Sequence, residues 1–110
     1  MTETVFAAGT DATTNQKSNA IVNNGANISL WAKGANLNAA TATVKLQGSN
    51  KSSSTDTDWF DLDDATITLA VTATAYGIPV IACAYAYIRV VYTNNTNSAG
   101  SFESIINFQR

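Results

Sequence analysis

The sequence predicts an all-β protein, a two-sheet antiparallel β-sandwich of about seven strands with a jelly-roll or immunoglobulin-like arrangement. Apolar and polar residues alternate with a period of two at short intervals along the chain. The segments between are rich in Asn, Gly and Ser, which favour turns. No segment shows the apolar spacing of a helix. A length of 110 residues with 45% apolar composition predicts a single domain over residues 1–110.

The predicted strands follow the alternation in chain order. They are Thr4 to Ala7, Ala26 to Lys33, Thr41 to Gly48, Asp58 to Leu62, Ala65 to Thr72, Tyr85 to Thr93 and Ser101 to Phe108. The clearest is Thr41 to Gly48, in which Ala42, Val44 and Leu46 share one face. The apolar faces of three other strands are Ile28, Leu30 and Ala32; Ile67, Leu69 and Val71; and Ala86, Ile88, Val90 and Tyr92. Residues 1–14 are a candidate extended N-terminal arm.

One apolar stretch, Ala73 to Ala84, breaks the alternation because Gly77 and Pro79 interrupt it. Proline has no N–H group to donate, so Pro79 should lie at a sheet edge, a crossover or a bulge. We expect a loop that crosses between the sheets and packs Ile78, Val80 and Ile81 against the core. A contact between subunits would use the same residues.

Composition excludes several classes of function. Charged residues make up 13% of the chain, about half the usual share, and the net charge is −2. The six basic residues are scattered, which argues against binding to a nucleic-acid backbone. No apolar run reaches the ~20 residues needed to span a bilayer. We expect no secretion signal, and the single Cys83 fits assembly in a reducing cytoplasm.

An acidic cluster begins within the polar run NKSSSTDTD and is the one candidate metal site. Its weak candidate ligands are Asp56, Asp58, Asp61 and Asp63. Calcium prefers such oxygen ligands, but the spacing departs from that of an EF-hand loop and no glycine provides its sharp turn. The alternative is a solvated hairpin tip, which we favour. No metal or other cofactor is therefore predicted.

Enzymatic activity is not expected from this sequence. The chain contains no histidine, which excludes histidine-based triads and most zinc sites. Cys83 lies among Ile81, Ala82 and Ala84, a setting that predicts a buried, inert thiol. The carboxylates of the acidic cluster lie in one polar stretch, where solvent would screen them from the raised pKa that acid catalysis requires.

Aromatic residues and one arginine form the candidate interface or ligand surface: Trp31, Trp59, Tyr85, Tyr87 and Arg89. Trp31 and the Tyr85/Tyr87 pair lie on strand faces opposite the aliphatic ones, so a subunit or a ligand such as a glycan should cover them. Alternatively, Trp59 and Tyr87 plug the ends of the sandwich. Arg89 lies between Ile88 and Val90 and needs a carboxylate partner, for which we expect an aspartate of residues 58–64.

Three motifs carry a resemblance to a known group of proteins: VKLQGSN at Val44 to Asn50, DWFDL at Asp58 to Leu62 and AYIRVVYT at Ala86 to Thr93. In this order, followed by a polar turn and a final strand, they resemble small β-sandwich proteins of bacteriophage virions. The resemblance covers about Thr41 to Phe108, and discoidin-like sugar-binding sandwiches share part of it. It implies no catalytic residues. Here NKSSSTDTD replaces the tight turn of that pattern, which predicts a longer, more mobile hairpin.

The resulting hypothesis is a non-enzymatic virion structural protein, most simply a capsid decoration or minor capsid protein and otherwise a tail component. Such a protein would assemble in the host cytoplasm and stabilise the particle through subunit contacts. Its expected partners are copies of itself, with a trimer as first guess, and other virion proteins. The alternative is a carbohydrate-binding β-sandwich module for surface adhesion. A bacterial adhesin or pilus-like subunit is disfavoured because it would need a secretion signal.

Overall fold

The protein is a sandwich of two antiparallel β-sheets, and its computed structural model describes residues 2–25 and 27–109. The described residues form nine strands: β1 (Thr2–Asp11), β2 (Gln16–Lys17), β3 (Ile21–Val22), β4 (Asn27–Ala35), β5 (Thr43–Ser49), β6 (Phe60–Thr68), β7 (Ala75–Ala82), β8 (Tyr87–Thr93) and β9 (Ser101–Gln109). A single turn of 3-10 helix, Asp56–Asp58, precedes β6. The predicted fold class is confirmed, with nine strands rather than about seven.

The first sheet has the order β1-β9-β4-β7, and the second has the order β2-β8-β5-β6, with β3 also paired to β8. The two short strands β2 and β3 thus share one edge of the second sheet. The predicted segments Asp58 to Leu62 and Ala65 to Thr72 join into the single strand β6, which ends at Thr68 and leaves Val71 exposed. Short polar strands such as β2 carry too few residues for an alternation to be recognised.

Pairing of β1 with β9 places Thr2–Asp11 along the edge of the first sheet. These residues make up most of the segment 1–14 that the sequence offers as an N-terminal arm. Met1, at the start of that segment, Ala26, at the start of a predicted strand, and Arg110, at the end of the predicted domain, lie outside the described residues.

The predicted crossover loop at Ala73 to Ala84 is wrong, because Ala75–Ala82 forms the edge strand β7. Its register against β4 shifts between Ile28 and Leu30, which is where Ile78 gives way to Ile81. Pro79 therefore lies at both an edge and a bulge, where a missing N–H group breaks no ladder hydrogen bond. Ile81 is buried and Ile78 half-buried as expected, but Val80 is exposed.

The core lies between the sheets and is built from the predicted alternating faces. Each of β4, β5 and β9 buries every second residue, while the central strand β8 is buried on both faces. The aromatic rings of Tyr92 from the second sheet and Phe102 from the first stack at 3.9 Å between centroids. Burial raises the pKa of Tyr92, whose hydroxyl donates a hydrogen bond to the Ala12 carbonyl at 2.8 Å.

Candidate functional site

Burial of both faces of β8 has a specific cause: the β5–β6 hairpin folds back over the outer face of the second sheet. On that face, Gln47 of β5 lies opposite Arg89 of β8. Arg89 is only 4% exposed. A charged side chain in such a position requires partners for its donors, since an unpaired buried charge is strongly unfavourable.

Arg89 obtains those partners from three different parts of the chain. Its Nε donates to Gln47 Oε1 at 2.7 Å, and its Nη2 donates to Asp56 Oδ1 at 3.2 Å. Its Cζ lies 4.7 Å from the centroid of the Trp59 ring, a cation–π distance. The predicted carboxylate partner is present but is Asp56, so the expected range 58–64 is wrong by two residues. The 3-10 turn Asp56–Asp58 presents that carboxylate to the sheet.

Asp56 also joins the hairpin to the edge strand β2. Its two carboxylate oxygens accept from Lys17 Nζ at 2.8 and 2.7 Å. The hydrogen bond from Lys17, and then the one from Arg89, lowers the pKa of Asp56. One carboxylate therefore links the hairpin, β8 and β2. Because Asp56 is itself exposed, this link is open to solvent and to screening by salt.

Trp59 packs beneath the hairpin, against Arg89. Its ring is 6% exposed, and its Nε1 donates to the Ser53 carbonyl at 2.9 Å. Ser53 Oγ donates in turn to Asp58 Oδ2 at 2.6 Å, and Lys51 Nζ lies 4.0 Å from Asp58 Oδ1. Residues 54–57 remain exposed, as expected for a solvated tip, but the hairpin is folded onto the sheet and held there.

A pocket of about 450 Å³ lies between the folded hairpin and the segment around β2. The hairpin contributes three serines, the segment after β2 contributes small polar residues, and β8 contributes Arg89. The lining residues are Lys17, Ser18, Asn19, Ala20, Ser52, Ser53, Ser54, Trp59 and Arg89. This volume is within the range of roughly 300–1,000 Å³ typical of small-molecule sites.

Within residues 2–25 and 27–109, no group of three or more acidic, cysteine or histidine side chains is arranged to hold a metal ion. Asp61 instead accepts from Gln47 Nε2 at 2.8 Å and pairs with Lys45 Nζ at 3.1 Å. The Gln47 bond, and then the Lys45 bond, lowers the pKa of Asp61. Asp63 is exposed on β6. Cys83 is buried, and burial raises the pKa of its thiol.

The five aromatic and basic candidates do not form one surface. Trp59 and Arg89 meet beneath the hairpin, so Trp59 offers no free face for stacking on a sugar. Tyr85 is not on the outer face with Tyr87, because it precedes β8 and packs against the core. There it packs against Gly48. A Cβ atom added at position 48 would lie only 2.4 Å from the Tyr85 ring. Phe60 stacks on Tyr85 at 6.0 Å.

Trp31 and Tyr87 lie on the outer faces of different sheets. Tyr87 is half-buried and pairs with the exposed Val22 of β3. Trp31 of β4 pairs with Ile105 on one side and Gly77 on the other. Since Gly77 has no side chain, a shallow groove of about 400 Å³ runs beside Trp31 toward Ile78 and Pro79. Outward-facing Trp31 was predicted from the alternation in β4, whereas this groove depends on β7, which was not predicted as a strand.

Residues missing from the sequence-based prediction of the site include Lys17, Asn19, Gln47 and Ser52. They belong to the turn-rich or polar stretches where no pattern marks a site. The buried charge of Arg89 was the one available signal, and it predicted a carboxylate partner without identifying the rest of the pocket.

Comparison with known proteins gives a fold and no family. No protein-family profile matches the chain, and no curated protein matches it. Among solved structures, the PBSX exported protein XepA is similar with a TM-score of 0.60 and 16% identity over 96% of this chain. The chain spans 36% of the length of that protein. These values show a shared fold.

A second similar structure is the K1 cleaved adhesin domain of Lys-gingipain from Porphyromonas gingivalis W83. Its TM-score is 0.56 at 14% identity, and the match covers 99% of this chain and 73% of that one.

Among the described residues, no helix has the length and apolar character needed to cross a membrane.

Proposed function

We propose that this chain is a non-enzymatic structural protein of a phage particle, a capsid decoration or minor capsid protein that stabilises the particle through subunit contacts. The observation that carries the proposal is the outer face of the first sheet. Trp31 and Ile105 are paired at its centre, and no other part of the described chain folds over them as the hairpin folds over the second sheet.

The surroundings of Trp31 have the composition of an interface. Ser29 and Asn107 pair on one side of the Trp31–Ile105 pair, and Lys33 and Glu103 pair on the other. An apolar centre with a polar rim is typical of protein–protein contacts. Exposed Val80 of the edge strand β7 extends the apolar area beyond β4. Both β7 and β1 are sheet edges that could pair with another subunit.

Two further points support the proposal. The fold is similar to that of XepA, an exported protein of phage PBSX. The carboxylates Asp56 and Asp61 are used to hold the hairpin, and Cys83 is buried with a raised pKa, so these groups serve the fold rather than catalysis. A homotrimer located in the virion and assembled in the host cytoplasm is the form we propose.

Light scattering behind a sizing column, over a concentration series, tests this proposal. We expect a stable oligomer, with a trimer as first guess, and we expect Trp31→Ser to raise its dissociation constant at least about tenfold. Val22→Ser is the matched control, because it also replaces an apolar outer-face side chain by serine, but Val22 is 57% exposed and lies at the edge of the second sheet. A monomer at every concentration, or equal loss in both variants, would contradict the proposal.

The pocket beneath the hairpin favours a second candidate function, a carbohydrate-binding module for surface adhesion. It is concave, polar and large enough for a small ligand. The K1 domain of Lys-gingipain shares the fold, and that domain is named as an adhesin domain. A glycan array tests this candidate: binding that survives Trp31→Ser would assign adhesion to the pocket, and an empty array would remove the candidate.

A further inference from the structure

The pocket between the hairpin and the segment after β2 contains a buried cation with an unused hydrogen-bonding group. Arg89 has donors on three nitrogens, and two of them bind Gln47 and Asp56. Within the described residues, Nη1 of Arg89 has no hydrogen-bond partner. The one fully enclosed side-chain nitrogen or oxygen without a partner among those residues is Asn97 Nδ2. Because Arg89 Nη1 also lacks a partner but is not enclosed in this way, solvent can reach it, and Arg89 lines the pocket.

The charge around the pocket is positive although the chain as a whole carries −2. Lys17 and Arg89 line it, and Asp56 neutralises one of these two charges. The next groups outward, Lys51 and Asp58, form a pair of opposite charge at 4.0 Å. One positive charge thus remains uncompensated beside the pocket, which the guanidinium-bearing Arg89 lines. A carboxylate is a group that a guanidinium binds with good geometry.

The rest of the pocket wall is made of neutral polar groups. The side chains of Asn19, Ser52 and Ser54 line it and make no hydrogen bond within the described part of the chain. They can donate to and accept from hydroxyl groups. Trp59 is too deeply buried to offer a stacking face. The chemistry therefore favours a hydroxyl-rich ligand with one carboxylate over an aromatic or apolar ligand, and the volume exceeds what a lone inorganic anion fills.

We propose that this pocket binds an acidic sugar, whose carboxylate accepts from Arg89 Nη1 and Lys17 and whose hydroxyls contact Asn19, Ser52 and Ser54. The inference rests on the second candidate function, carbohydrate binding, and is independent of the assembly proposal. It adds the ligand class and the residues that select it.

Titration by NMR with glucuronic acid and with glucose tests the proposal, because these two sugars differ only at the carboxylate carbon. We expect glucuronate to shift the Arg89 Nε–H signal and the backbone amides of residues 18–20 and 52–54 in a saturable way. Glucose should bind at least tenfold more weakly. Lys17→Met and the pocket-filling Ser54→Phe should each weaken glucuronate binding at least tenfold, and Val22→Ser should leave it unchanged.

The possible results separate this inference from the candidate function beneath it. Equal binding of glucose and glucuronate would overturn the inference and leave carbohydrate binding standing. Inorganic phosphate binding as tightly as glucuronate would also overturn it, since the site would then be a general anion site. Absence of binding by any sugar, in protein whose amide spectrum shows it folded, would overturn both. Proper folding of Lys17→Met and Ser54→Phe is read from the same spectra.

Discussion

The two outer faces of this sandwich differ in how their large side chains are covered. On the second sheet, the β5–β6 hairpin folds back and buries Trp59 and Arg89. On the first sheet, Trp31 and Ile105 stay half-buried, with no comparable covering segment in the described chain. Each face carries a tryptophan and at least one cation on a central strand, Lys33 on the first sheet and Arg89 and Lys45 on the second, so residue type alone does not separate them. The difference comes from the hairpin between β5 and β6, which is long enough to fold back over the outer face of the second sheet.

Replacement of each tryptophan by alanine should show the difference between the two faces most clearly. Trp59→Ala removes a 6% exposed ring that supports Arg89 and the Ser53 carbonyl, so we expect a loss of about 3 kcal/mol in the free energy of unfolding. Trp31→Ala should cost less, about 1.5 kcal/mol, because part of its ring is already in water. Denaturant unfolding, followed by circular dichroism at a concentration that disfavours association, measures both. Equal losses would mean that the hairpin does not protect Trp59 in solution.

The two cations offer a second comparison. Arg89→Ala removes two side-chain hydrogen bonds and a cation–π contact, and we expect a loss of about 2 kcal/mol. Lys33→Ala, on the outer face of β4, is the control and should change stability by less than about 0.5 kcal/mol. Thermal and urea unfolding of both variants check this. Arg89→Lys keeps the charge but loses the planar geometry, and it should fall between the other two.

Acid should loosen the covered face, and this effect is the smallest of the three. The pKa of Asp56 is lowered in the folded protein by Lys17 and then Arg89, so its contribution to stability is complete above the ordinary value of 3.8. As the pH falls below that value and through the lowered pKa, the contribution is lost. Trp59 fluorescence in a Trp31→Phe background, recorded from pH 6 downward, should report exposure of the hairpin.

Two substitutions identify the group responsible for that acid response. Asp56→Asn should weaken the fluorescence change, because it removes the titrating carboxylate from the Lys17 and Arg89 contacts. Asp63→Asn is the control, since Asp63 is an exposed carboxylate of β6 outside the ion pairs of the described residues. An unaltered acid response in Asp56→Asn would show that another group controls the hairpin.

The sequence predicted the inner faces well and the outer faces poorly. The buried residues of β4, β5 and β8 follow from alternation, because an apolar face in a small domain has only the core in which to bury. Arg89 also yielded a correct kind of partner, since a buried guanidinium needs an acceptor. The folded hairpin was not predictable from a polar run such as NKSSSTDTD, whose composition is also that of a free loop. Lys17 meets Asp56 only through tertiary structure, 39 residues away.

The strand β7 shows the opposite error. Gly77 and Pro79 argued for a loop, but an edge strand pairs on one side and tolerates a bulge, so both residues fit there. Because β7 was not predicted as a strand, the groove beside Trp31 was not predicted either. Proline thus correctly indicated an edge or bulge position but led to the prediction of a loop where the chain forms a strand.

The position of β9 between β1 and β4 determines when the first sheet can form. β1 pairs with no strand other than β9 in the described sheet, with Thr2 beside Asn107. During synthesis, β1 and one side of β4 must therefore wait until residues 101–109 have left the ribosome, whereas β5, β6 and β8 are complete earlier. Until then, the apolar side chains of β4 have incomplete cover and are open to contact with other nascent chains. Such late, long-range pairing is expected to make folding slow.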